Sequence, residues 1–164
     1  MTGGNEREAS AGPGSPSIAP RRLSVLLGLC LGGCALAAWL VWIHLRLLAE
    51  PSAGSVCNFG GHFDCDAVNT SIHAEVLGVP IAYAGFLFYA LLAGLAAAER
   101  FRGAPPRALA YARGLGTAAA LYSIYLSALS ALVIEAFCLF CVGLHVINFA
   151  IAWIGWRGPT ARVR

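Results

Sequence analysis

An all-α fold, an integral membrane four-helix transmembrane bundle with an extracytoplasmic loop between helices 1 and 2, is predicted by three features of the sequence. They are its composition, the lengths of its apolar runs and the placement of its arginines. Of 164 residues, 59% are hydrophobic and only 12% are charged, and the mean hydropathy is strongly positive, outside the range of an ordinary soluble domain. The apolar residues are spread over several runs, each long enough to meet lipid directly, instead of being gathered for one water-shielded core.

Crossing the hydrocarbon takes about 20 apolar residues at about 1.5 Å each. The first run, about 23–45, is broken only by His44 near its end, and the second covers about 79–98. The third extends from about 109 to 156, roughly twice what one helix needs, with Arg113 and Glu135 as its only charges. It is therefore expected to fold back near Glu135 into spans of about 109–133 and 137–156. Arginines test this division. Arg7, Arg21 and Arg22 precede the first span, Arg100, Arg102, Arg107 and Arg113 flank the second connection, and Arg157, Arg162 and Arg164 follow the last span, leaving only Arg46 elsewhere. Basic segments stay cytoplasmic, which puts both termini and the 99–113 connection inside, and residues 46–78 and the turn near Glu135 outside.

Residues 1–20, rich in Gly, Ser, Pro and Ala, read as a disordered cytoplasmic tail, residues 21–157 as one membrane domain, and residues 158–164 as a second cytoplasmic tail. The stretch 21–49 reads as an uncleaved anchor, because its apolar run exceeds the roughly 7–15 residues of a signal-peptide core. The lack of Lys and the abundance of Ala, Gly and Arg suggest a GC-rich bacterial gene, hence a bacterial cytoplasmic (inner) membrane.

Six cysteines divide by position. Cys57 and Cys65, in "CNFGGHFDC", fall in the outside loop, where the compartment permits disulfides and Gly60 and Gly61 let the chain turn back. They can pair with each other, as a structural staple or as a redox couple. Cys138 and Cys141, in "FCLFC", begin the fourth helix on the same side, so two dithiols share one layer at the membrane surface. A Cys at a helix N-terminus has its thiolate stabilised by free N–H groups and the macrodipole, and Cys138 is the candidate. Cys141 lies on the same face about 4.5 Å further along, toward the lipid. Thiol–disulfide exchange passes two electrons between such pairs. The donor from water would be a reduced exported dithiol protein, and the acceptor from the membrane a quinone.

Competing uses of these residues are weaker. Zinc favours paired short Cys knuckles, which the seven-residue gap between Cys57 and Cys65 does not supply, so no metal is expected, and His62 and His73 read as surface residues. Cys30 and Cys34, spaced i, i+4 beside Gly28, Gly32 and Gly33, read as a packing face of the first helix.

The loop pair, "CDAVNTS" (65–71), "GVPIAYAGFLFYAL" (78–91), "SIYLSAL" (123–129) and "FCLFC" (137–141) together resemble the vitamin K epoxide reductase family, specifically its stand-alone bacterial members, over roughly residues 23–156. The resemblance implies a four-helix bundle around a quinone pocket capped by the first loop. It also implies a relay in which Cys57 faces a thioredoxin-like partner, Cys65 shuttles, Cys138 receives and Cys141 reduces a quinone, ubiquinone or menaquinone. Ser71 matches a serine kept beside the pocket in the family, although a loop-to-helix cap explains it equally well. Two positions depart from the family: Ile81 stands where many bacterial members have Asn, and His145 where Tyr is frequent. His145 can donate a hydrogen bond to a quinone oxygen or bond between helices; as an ionisable residue within a span it is read as part of the pocket.

The expected partners are a separate thioredoxin-like exported protein, a membrane quinone and the bilayer, with no nucleic acid. The expected activity is a quinone-dependent thiol-disulfide oxidoreductase supporting disulfide bond formation. The alternative is a non-catalytic four-helix membrane protein whose Cys57–Cys65 bridge only pins a loop.

Overall fold

A computed structural model describes residues 18–157 except 51, 53, 55, 56, 59, 61 and 106. Among these, four helices are long and apolar enough to cross a membrane, as the composition required. They are α1 (Ile18–Ala49), α3 (Ile81–Arg102), α4 (Ala108–Leu129, continued by a π-helical turn Ser130–Ile134) and α5 (Leu139–Arg157). Helix α1 already begins at Ile18, inside the segment expected as a tail; the rest of both expected tails, residues 1–17 and 158–164, lies outside the described residues. Between α1 and α3 stand a short helix α2 (Cys65–Asn69), a 3-10 turn (Ile72–Ala74) and a two-residue antiparallel hairpin, β1 (Glu75–Val76) and β2 (Val79–Pro80). Val79 and Pro80, expected at the head of the second span, thus belong to this hairpin. Pro80 fits its final position and hands over to α3 without a backbone donor.

Helix α1 packs chiefly on α3 and α4 on α5, with α1 against α5 joining the two pairs. Small residues allow this. Ala108, Ala112, Gly116 and Ala120, each four apart on α4, are buried, and a Cβ on Gly116 would sit 3.0 Å from the Ile151 side chain and 3.1 Å from the Ala152 backbone. Close backbone approach of this kind is how helices associate where lipid leaves little hydrophobic drive between them. On the other pair, Gly33 of α1 receives the Tyr89 ring, 2.6 Å from where a Cβ would be. Gly28 and Gly32 have open space around them, so only one of the three glycines read as a packing face serves in that way. Cys30 is buried in the core with Leu26, Ala37, Tyr89 and Leu92, and Cys34 packs against it.

The turns are set by local chemistry. Helix α3 ends at Gly103, in the left-handed region at φ 65°, with the Gly103 and Ala104 amides both donating to the Ala98 carbonyl, a glycine-closed helix end. Glu99 then turns back to accept the backbone N–H groups of Arg107 and Ala108 at the start of α4. Arg113 lies over the Trp156 ring and Arg157 over Trp153, cation–π pairs of the sort that anchor a bundle at a membrane–water interface. Arg22 donates to the Arg157 carbonyl at this same end. At the opposite end the π-turn closes on Glu135, also left-handed at φ 56°, where the long apolar run was expected to reverse. The loop after α1 meets the chain there.

Candidate active site

The loop that follows α1 is organised around Cys65. Asp64 caps α2, its Oδ1 accepting the amides of Asp66 at 3.0 Å and Ala67 at 2.9 Å, which fixes Cys65 as the first helical residue. Cys57 is joined to Cys65 by a disulfide with a Cα–Cα distance of 5.8 Å. Asn58 reinforces the join: its Oδ1 accepts the Cys65 amide at 3.0 Å, and its Nδ2 donates to Asp66 Oδ2 at 2.6 Å.

Cys138 stands at the start of α5. It precedes Leu139, and its carbonyl accepts the Val142 amide at 3.0 Å while its Sγ accepts the Cys141 amide at 3.2 Å. It is therefore the N-cap of α5, one position earlier than a residue inside the helix, with sulfur in the role usually taken by a Ser or Asp oxygen. The Cys141 thiol, donating to Cys138 Sγ, draws the Cys138 pKa below its ordinary value; the amides of Cys141 and Phe140 act in the same direction, against burial and the Asp66 carboxylate. Both thiols of this pair are free, and the lowered pKa favours the thiolate form of Cys138.

Main-chain pairing brings the two cysteine pairs together. Phe63 and Phe137 form a parallel bridge in which the Asp64 amide donates to the Phe137 carbonyl at 3.1 Å and the Phe137 amide to the His62 carbonyl at 2.7 Å. Cys65 lies two residues after one partner and Cys138 one after the other. Cys57, Cys65 and Cys138 are consequently buried in one cluster with Leu40, and Cys141 packs against it.

Behind this cluster, inside the bundle, is a largely apolar cavity of about 350 Å³. Cys141 lines it and the other three cysteines of the cluster do not, so α5 carries the pair from a loop-facing thiol to a cavity-facing one. Ser71, Ile81 and His145 line the same cavity. The Ser71 hydroxyl donates to the Val68 carbonyl at 2.9 Å and makes no cap to the 3-10 turn it precedes. His145 Nδ1 is buried with no hydrogen-bond partner among the described residues, an orphan polar atom one helical turn beyond Cys141.

Sequence reasoning passed over three features. His73, read as a surface residue, lines the cavity. Asn148, which stands seven residues after Cys141 on the stripe that carries His145, accepts from the Tyr89 hydroxyl at 2.7 Å and donates to Ser123 Oγ at 3.0 Å; an amide in an apolar run was the signal. His44 is 2% exposed. Its Nδ1 donates to the Asn69 carbonyl at 2.8 Å and its Nε2 stands 3.1 Å from Glu75 Oε1, while Asn69 Nδ2 donates to the Leu40 carbonyl at 3.2 Å. The Glu75 approach lacks the alignment of a hydrogen bond. Together these contacts latch α2 and β1 onto α1. His44 was visible as an ionisable residue near the end of a span, which alone should have marked it.

Residues 24–156 match the model of the Vitamin K epoxide reductase family. The chain belongs to that family. A search of curated proteins finds no match to it. Membership in the vitamin K epoxide reductase family makes this multi-pass membrane protein a thiol oxidoreductase, of a family that works with quinones and with redox partners in general. The loop disulfide and the Cys-x-x-Cys pair meet in one buried cluster of this chain.

Proposed function

We propose that the protein is a membrane thiol:quinone oxidoreductase. It draws electrons from an exported thioredoxin-like dithiol protein through Cys57 and Cys65 to Cys138 and Cys141, and on to a ubiquinone or menaquinone, sustaining disulfide formation outside the cytoplasm. The observation that carries this reading is the burial of Cys57, Cys65 and Cys138 in one cluster, with Cys141 against it and open to the apolar cavity. The arginine distribution supports a bacterial inner-membrane orientation with both termini cytoplasmic and the site on the extracytoplasmic side.

Turnover starts with the Cys57–Cys65 disulfide. A partner thiolate attacks Cys57, Cys65 leaves as thiolate, and the second partner thiol resolves the mixed disulfide, leaving the partner oxidised and the loop pair reduced by two electrons. Cys65 next attacks Cys138 of an oxidised Cys138–Cys141 pair, and Cys141 is released as the cavity-facing thiolate; Cys57 closes back on Cys65 and frees Cys138. The reduced Cys-x-x-Cys pair now holds the two electrons, and it returns to the disulfide when Cys141 gives them up on the cavity side.

A quinone, when bound, supplies an acceptor for two electrons and two protons. The cavity fits such a head group: its walls are mostly apolar, and the orphan Nδ1 of His145 is available as a hydrogen-bonding group close along α5 to Cys141. Ile81 removes the amide that many bacterial relatives place in this wall, so His145 and Ser71 carry the orientation of the head group. Burial of Cys57, only 1% exposed, means the loop must open before the partner reaches it.

Thiol-driven quinone reduction by the purified protein tests the relay. Changing Cys57, Cys65, Cys138 or Cys141 singly to Ala is expected to reduce turnover to background. Four variants that all keep wild-type turnover would leave a structural loop staple as the better account.

A further inference from the structure

The disulfide is not the only tie between Cys57 and Cys65. Each is followed by a polar residue, Asn58 and Asp66, and these side chains meet. Asn58 Nδ2 donates to Asp66 Oδ2 at 2.6 Å, and Asn58 Oδ1 accepts the Cys65 amide at 3.0 Å. Both bonds join the Cys57 side to the Cys65 side, as the disulfide does, and the one to the carboxylate is short and charge-assisted.

Cys65 is fixed by the Asp64 cap and by the Phe63–Phe137 bridge next to Cys138. Cys57 sits in a turn outside any helix or strand, and the Asn58 side chain ties the residue next to it to Cys65 and Asp66. Each reduction of the loop pair frees Cys57 from its covalent partner while Cys65 has to stay in register with Cys138.

We propose that Asn58 is a positioning residue: by holding the Cys65 amide and the Asp66 carboxylate together it keeps Cys57 within reclosing reach of Cys65 while both are thiols, and so lowers the reduction potential of the loop pair. The cause is effective concentration. Two thiols tethered by a loop and also by an amide clamp meet more often than two tethered by the loop alone, and the disulfide they form is correspondingly harder to reduce. Its use in turnover rests on the relay proposed above, since a clamped Cys57 recloses on Cys65 and expels Cys138 as soon as the electrons have passed on.

The test is a redox titration of the full chain carrying Cys138→Ser and Cys141→Ser, so that the loop pair alone titrates. The protein is equilibrated in glutathione buffers, where two glutathione thiols reduce Cys57–Cys65 to two thiols and become glutathione disulfide, and the free Cys57 and Cys65 are counted by alkylation and mass spectrometry. Asn58→Ala and Asp66→Ala are each expected to make the pair about tenfold easier to reduce, equivalent to about 30 mV for a two-electron couple. Asp66→Asn, whose amide oxygen still accepts from Asn58, is expected to stay within about threefold of the parent chain. Asn58 is exposed, so N58A leaves the packing intact. An unchanged potential in N58A overturns the proposal, and so does a shift in D66N as large as in D66A, which would assign the effect to charge. No quinone enters this titration. A shift found here, with the chain that keeps all four cysteines failing to reduce quinone, keeps the clamp and discards the relay; no shift here, with that four-cysteine chain turning over, does the reverse.

Discussion

Two cysteine pairs, each with one buried member, sit differently in the bundle. Cys30 and Cys34 lie within α1, where every neighbouring amide is spent on the helix's own i→i−4 bonds; the Cys34 thiol donates weakly to the Phe86 carbonyl at 3.9 Å. Cys138 stands at the start of α5, where amides are still free, and its sulfur takes one of them. Burial is similar, with Cys30 0% and Cys138 2% exposed. What separates the two pairs is distance from a helix start, together with the main-chain bridge that brings Cys57 and Cys65 to Cys138.

The comparison breaks most severely if activity depends on the wrong pair. Cys30→Ala and Cys34→Ala are expected to keep thiol-driven quinone reduction within about twofold, since a small apolar substitution in packing costs about 1 kcal/mol of stability and no chemistry. Loss of turnover in either, comparable to that in Cys138→Ala, would overturn their assignment. The inner region has its own weak point in Gly33, where a methyl group would strike the Tyr89 ring. Gly33→Ala is expected to lower thermal stability by about 1–3 kcal/mol, with Cys138 alkylation unchanged.

On the cavity side, His145→Phe removes the orphan imidazole. About a tenfold rise in the KM for quinone is expected from the loss of one hydrogen bond, with the reaction between partner and loop pair unaffected; an unchanged KM would return His145 to packing. The smallest effect concerns pH. Cys138 has a lowered pKa, so in the reduced chain its thiolate persists at more acid pH, and the midpoint of its alkylation rate is expected below the ~8.5 of a free cysteine. Cys141→Ala removes the largest cause and moves that midpoint upward. Cys141→Ser keeps a hydrogen donor and retains part of the depression, and Asp66→Asn, by removing a nearby negative charge, moves it further down.

Much of this was legible in the sequence because lipid simplifies the problem. Apolar run lengths and arginine positions identify four spans and their reversal near Glu135, and the Cys-x-x-Cys spacing identifies a wet thiol and a deeper one. Long-range main-chain pairing was not legible: nothing in "HFD" or "AFC" announces that Phe63 and Phe137 bridge. The hairpin at Val79 and Pro80 was hidden in an apolar run that hydropathy cannot divide. His44 and Asn148 were readable as polar residues in oil, yet their partners, Asn69 and Glu75 for one and Tyr89 and Ser123 for the other, come from elements far apart in the chain.

The central claim is that Cys65 and Cys138 are direct exchange partners, and a chain with Cys57→Ala and Cys141→Ala tests it most directly. Mild oxidation of that double variant, followed by proteolysis and mass spectrometry, is predicted to yield a Cys65–Cys138 cross-link as the principal disulfide. Cys65 and Cys138 both remaining open to alkylation, or Cys138 pairing instead with Cys30 or Cys34, would contradict the account.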